Sequence, residues 1–264
     1  MKYLYSLIVV VVFASIFWGM RSEVPAVSEA VEKKSVLSST GGSPSLQEPS
    51  AADLELDRAV TRQQQLTKGE LQARELLARG ISDLANCHQT YSCPQDFSDP
   101  RASDIKQGRM LADKLEEYAD FHRQRDYFDE ESAEVARTFL DHPDGFVQEA
   151  AIDLVSMQAP SEANGHALIN ALKDGYDAKV MEQAMKELQR YPGLQPEIDQ
   201  LLAESLQTGS FYVAQEVALN ILPHLNAENV QMFEQVVSGL PQHSVRAKAL
   251  KSNIREFRLR QSGG

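Results

Sequence analysis

Aromatic side chains are scarce in this chain of 264 residues, at 7%, and its one tryptophan, Trp18, lies in an apolar run near the N-terminus. Outside that run no stretch of alternating β-branched residues occurs, which excludes a core built on sheets. Cysteine is almost missing. Cys87 and Cys93 are the two present, too few for a disulfide-rich framework. With His88 they supply three zinc ligands where a closed site needs four, and their spacing is not the C-x-x-C of a redox pair. There is no phosphate-cradling glycine loop, no G-x-S-x-G elbow and no H-E-x-x-H helix. The six histidines (88, 122, 142, 166, 224 and 243) are scattered, and none is followed by glutamate. No catalytic residue, metal ligand or cofactor is therefore expected. Cationic charge is also in deficit: the net charge is -12, so phosphates are repelled and no nucleic acid is expected as a partner.

One long apolar run is present. Residues Tyr3 to Met20 carry no charge, and eighteen helical residues span about 27 Å, close to one hydrocarbon core. Lys2 and the amino terminus favour a cytoplasmic N-terminus and export of the remaining chain. A cleaved signal peptide has a shorter apolar stretch and a small-x-small site, for which Val24-Pro25-Ala26 is a poor match. The expectation is an uncleaved signal anchor over residues 1–20. It crosses an inner membrane once, through residues 3–20, and leaves the bulk in the periplasm or another extracytoplasmic space. An oxidising compartment lets Cys87 and Cys93 close a small ring, worth roughly 2–3 kcal/mol at best.

Residues 21–50 read as a disordered tether. They hold SSTGGSPS, three prolines and few large apolar residues, and so bury too little surface to offset ordering. From Ala51 to about Ala85 the pattern is helical, with Leu77, Ile81 and Leu84 at i, i+4, i+7 and a break near Gly69. A polar loop from Cys87 to Pro100 comes next. A second helix is expected from Ser103, its N-cap, with Leu111, Leu115, Tyr118 and His122 on one face. Residues 51–128 thus read as a helical hairpin with the cysteines at its tip, capping the C-terminal half of the chain.

That half carries an internal echo. Val147, Val180, Val213 and Val245 open four similar segments spaced 33, 33 and 32 residues apart. Four residues on stand Ala151, Ala184, Val217 and Ala249, then Ile152, Met185, Ala218 and Leu250. A period of this length marks a stack of supersecondary units. Each unit offers a first helix (near 131–141, 164–173, 196–207 and 227–238), a polar turn and the valine-led helix. The turns HPDG, DGYD, TGS and GLPQHS all hold glycine or proline to stop the first helix. Pro160, Pro192 and Pro223 end the second helices. The small residue after each valine suits close approach of neighbouring helices.

A turn with Asp, Gly or Pro followed by V-x-x-x-A-apolar, repeated four times between about residues 130 and 257, resembles HEAT-type helical repeats. The resemblance implies an all-α fold in which residues 129–264 form a short right-handed α-solenoid of helix pairs. The tetratricopeptide pattern has a similar period, but its G-x-x-Y and A-x-x-x-F signatures are not in register.

Two surfaces stand out for partners. The first is EEYADFHRQRDYF, where Tyr118, His122, Arg123, Arg125 and Tyr127 offer aromatic and guanidinium groups typical of interface hot spots. The alternative is that this helix simply buries its aromatic face. The second is the C-terminal segment from Ser244, whose six bases (Arg246, Lys248, Lys251, Arg255, Arg258 and Arg260) face one acid, about +5, leaving -17 elsewhere. It reads as a solvated cap, as a site for an acidic protein or anionic headgroups, or as the pole for head-to-tail self-association. The functional expectation is a membrane-anchored extracytoplasmic scaffold that binds a protein partner in an envelope complex. The alternatives are an envelope-active hydrolase with scattered acids and a peptide- or lipid-binding carrier.

Overall fold

A threonine sets the start of the first helix. The Thr67 hydroxyl accepts from the Glu70 amide, while the Glu70 carboxylate accepts from the Thr67 amide at 2.9 Å, a reciprocal capping box. The helix, α1, therefore runs Lys68–Gln89 and begins beside the break expected at Gly69. The computed structural model describes residues 66–90, 92–93 and 100–263. The anchor, the tether and the start of the helix read from Ala51 lie outside the described residues. Among those described, ten α-helices and no strand are found, an all-α fold, and no helix is long and apolar enough to cross a membrane.

Helix α2 spans Pro100–Arg125. It starts at Pro100, whose fixed φ suits a first helical position, so Ser103 is a buried residue inside the helix and not its N-cap. Cys87 likewise falls in the last turn of α1 and not in the loop after it. The Cys87 and Cys93 sulfurs sit within bonding distance, with their Cα atoms 4.9 Å apart.

Four helix pairs complete the chain: α3 (Glu130–Thr138) with α4 (Gly145–Ser156), α5 (Glu162–Leu172) with α6 (Ala178–Leu188), α7 (Gln195–Thr208) with α8 (Phe211–Asn220), and α9 (Val230–Gly239) with α10 (Val245–Ser262). The second helices pack in sequence, α2 on α4, α4 on α6, α6 on α8 and α8 on α10. The first helices do the same from α3 through α5 and α7 to α9. Helix α2 thus continues the second-helix row, with α1 packed on it, and one hydrophobic cluster runs from Ile81 to Ile254 through all ten helices.

Recurring residues show why the row is regular. Asp144, Asp177, Ser210 and Ser244 cap α4, α6, α8 and α10, each side chain accepting from an amide of the first turn. Three residues beyond each cap lie Val147, Val180, Val213 and Ala247, all buried. Val245 is 55% exposed, so the last unit is set two residues later than the valine alignment implies. The expected small positions Ala151, Ala184 and Val217 are fully buried.

The turns differ from expectation in one respect. No described glycine has positive φ; the single residue in the left-handed region is Asp126, at φ 46. Glycine serves here for close approach. A Cβ on Gly145 would stand 2.7 Å from the Asp177 carboxylate. In α5, a Cβ on Gly165 would meet Leu194 at 2.5 Å and the Tyr191 ring at 3.1 Å.

Candidate functional site

The turns joining first to second helices carry an exposed aromatic ridge. Phe146 is 41% exposed, Tyr176 70%, Phe211 66% and Tyr212 70%, in a chain where most large apolar side chains are buried. Neighbouring turns are tied together. The Arg109 guanidinium stacks on the Phe146 ring, 3.3 Å from its centroid. The Tyr176 hydroxyl donates to the Pro143 carbonyl at 3.0 Å, and the Ser210 hydroxyl donates to the Tyr176 carbonyl. Phe211 and Tyr212 meet edge to face. The ridge keeps to the repeat because each aromatic lies within two residues of a capping position. That placement is a sequence signal: F, Y and FY recur beside the caps Asp144, Asp177 and Ser210.

The aromatic cluster on α2 is mostly interior. Tyr118 is fully buried; its hydroxyl pairs with Ser132 at 2.6 Å, and burial pushes it up to about 12. It therefore presents no docking surface. His122 is also buried, stacked on the half-buried Tyr127 at 5.6 Å between ring centroids. Arg125 lies over Phe121 and pairs with Glu70 at 3.0 Å. Arg123 is more exposed and is held by Asp120 and Asp153.

Near this cluster is a half-buried polar network that apolar spacing and motifs do not reveal. Arg74 of α1 pairs with Asp129 at 3.0 Å and Glu131 at 2.6 Å, joining α1 to the start of α3. Burial alone would raise the Asp129 carboxyl, but the Ser132 amide and Arg74 hold it below its ordinary value. Burial holds His122, His142 and His224 below the usual histidine range, and pushes Glu187 and Asp199 up.

A cavity of about 440 Å³ opens between the ends of α2, α4 and α6. His122, Asp126, Phe128, Met157, Gln158 and Arg190 are among its lining residues. A second hollow, about 610 Å³, lies between α7 and α9 over Gln200, Glu204, Met232 and Gln235.

On α10, Lys248, Lys251, Arg255 and Arg258 are exposed, and Arg246 is half-buried, donating to the Leu206 carbonyl. Arg258 pairs with Glu234 and Arg260 with Glu256. The acidity opposite this helix is not at the far end of the row. Residues 126–243 hold 20 acids against 5 bases, net -15, while residues 66–125 hold 10 against 9. The charge pattern is thus a near-neutral start, an acidic middle and a basic last helix, and not two opposite poles. Among the described residues no group of three or more His, Cys, Asp or Glu is arranged to hold a metal ion. No protein-family model, no curated protein and no solved structure matches this chain.

Proposed function

We propose that the chain is a HEAT-like α-solenoid displayed outside a membrane by its N-terminal apolar run and tether, where it binds a protein partner of an envelope complex. The observation that carries this reading is the aromatic ridge Phe146, Tyr176, Phe211 and Tyr212, exposed beside the caps of three successive second helices. Exposed aromatics on a rigid scaffold offer large contact area at little cost in side-chain entropy, which is what interface hot spots exploit. Successive packing of helix pairs supports the repeat reading, since each pair needs its neighbours to bury its apolar face. The function requires no reacting group. The basic face of α10 and the arginines around His122 lie on other parts of the surface and serve as secondary contacts.

The test places a photoreactive amino acid at Tyr212 of the full chain in its own membrane. A single adduct that disappears when Phe211→Ala and Tyr176→Ala are introduced is expected. Absence of any adduct, or a purified chain that captures nothing yet hydrolyses envelope polymer, overturns the proposal.

A further inference from the structure

The cavity at the ends of α2, α4 and α6 gathers three anomalies. First, the His122 ring is buried (1% exposed) and its Nε2 has no hydrogen-bond partner. Second, the Gln158 side chain is 3% exposed, and its Nε2 is likewise unpaired. Third, Asp126, on the same wall, is the only described residue other than glycine with positive φ. It occupies the left-handed position after α2, where the Tyr127 amide reaches back to the His122 carbonyl at 3.3 Å. Glycine is the usual occupant, with asparagine and aspartate the side chains that tolerate it best. A buried polar atom without a partner loses its bonds to water and regains nothing on folding. Two of them on residues of one cavity lining mark a place shaped for something other than stability.

The local bonds fix what each atom offers. His122 Nδ1 lies 2.7 Å from the Tyr127 carbonyl, which only accepts, so Nδ1 carries the hydrogen. Burial keeps the ring neutral, leaving Nε2 as an acceptor. The Asp129 amide donates to Gln158 Oε1 at 3.0 Å, so the side-chain amide faces away with its two hydrogens unused. Two residues of the cavity lining thus carry one acceptor and one donor without partners.

An anion is not the complement. The Arg190 guanidinium already holds Glu187 and the Ser156 and Gln158 carbonyls. Arg123 is held by Asp120 and Asp153, and Asp126 adds a further negative charge. Phe128, Met157, Ala159 and Pro160 supply an apolar wall. We propose that this cavity binds an uncharged amide beside an apolar side chain, a short peptide segment of the partner. Its N–H donates to His122 Nε2 and its carbonyl accepts from Gln158 Nε2. Both protein atoms are shielded from solvent, so entry requires adjustment of the wall. The volume falls within the range of small-ligand sites, roughly 300–1,000 Å³. The assignment to a peptide rests on the partner-binding function proposed above; the amide chemistry does not.

The experiment titrates the isotopically labelled full chain with three probes: N-acetyl-leucinamide, N-acetyl-leucine, and the capped tripeptide acetyl-Gly-Leu-Gly-amide. The His122 Nε2 nitrogen resonance is followed. Expected is a saturable shift with both amides, at least tenfold weaker binding of the carboxylate, and loss of the shift in Gln158→Leu and in Ala159→Trp, which fills the cavity from its exposed rim. Ala159→Trp keeps the test valid where Gln158→Leu unfolds. No saturable shift with any probe, or equal binding of the carboxylate, overturns the site. Binding of the small amide with exclusion of the tripeptide overturns the peptide assignment alone. Amide binding that persists when ridge crosslinking fails separates this site from the scaffold function.

Discussion

Single atoms decide several features here. Gly165 sits mid-helix in α5, where alanine is ordinarily the better helix former by about 1 kcal/mol. A Cβ there would strike Leu194 and Tyr191, so overpacking, roughly 1–3 kcal/mol, outweighs the propensity gain. Gly165→Ala is expected to lower stability by about 1 kcal/mol or more in urea unfolding, and a more stable variant would refute the close packing.

Histidine sets the response to acid. Burial depresses His122, His142 and His224, whereas the unfolded chain titrates them near 6.5. Below that pH the unfolded state binds more protons, so stability falls as pH drops from about 7.5 to 5.5. Glu187 and Asp199 act in the opposite sense. Their folded pKa values are raised by burial, so the cost of holding them charged is relieved as pH falls through those values towards the unfolded 4.5 and 3.8. A urea midpoint that moves down between pH 7.5 and 5.5 is expected; one that moves up would mean the histidines are not held neutral.

Between elements, few polar contacts matter for stability. Arg74 is 12% exposed and Asp129 15%, and their pair ties α1 to α3. Arg74→Ala strands a largely buried carboxylate, at a cost of roughly 3 kcal/mol. Lys186, 68% exposed in its pair with Glu182, contributes less than about 1 kcal/mol. Comparing the melting curves of Arg74→Ala and Lys186→Ala checks this, and equal losses would remove the special role of α1. The helices themselves were legible from apolar spacing, turn residues and the 33-residue echo. Two placements were not: Pro100 displaced Ser103 at the start of α2, and Ser244 caps α10 two residues later than the valine echo implies.

Across the molecule, charge is segregated. Residues 126–243 carry a net charge of -15, so α3 to α9 repel one another. Raising salt from 0.05 to 0.5 M is expected to raise the thermal midpoint, because screening weakens like-charge repulsion more than it weakens a few exposed ion pairs. A falling midpoint would give the ion pairs the larger share.

The sequence by itself determined the helical class, the period and the segregation of charge, since these depend on local spacing and composition. Turn positions were legible as well, through HPDG, DGYD and TGS. Only the tertiary structure decided which side chains face solvent. Tyr118 and Arg123 share the segment EEYADFHRQRDYF, which also read as a docking surface, yet Tyr118 bonds Ser132 in the interior while Arg123 reaches the surface. The cavity lay beyond sequence reasoning for the same reason. His122 and Gln158 are 36 positions apart, and they line one cavity only because α2 and α4 pack side by side. Local propensity fixes the elements, whereas burial and pairing depend on neighbours distant in the chain.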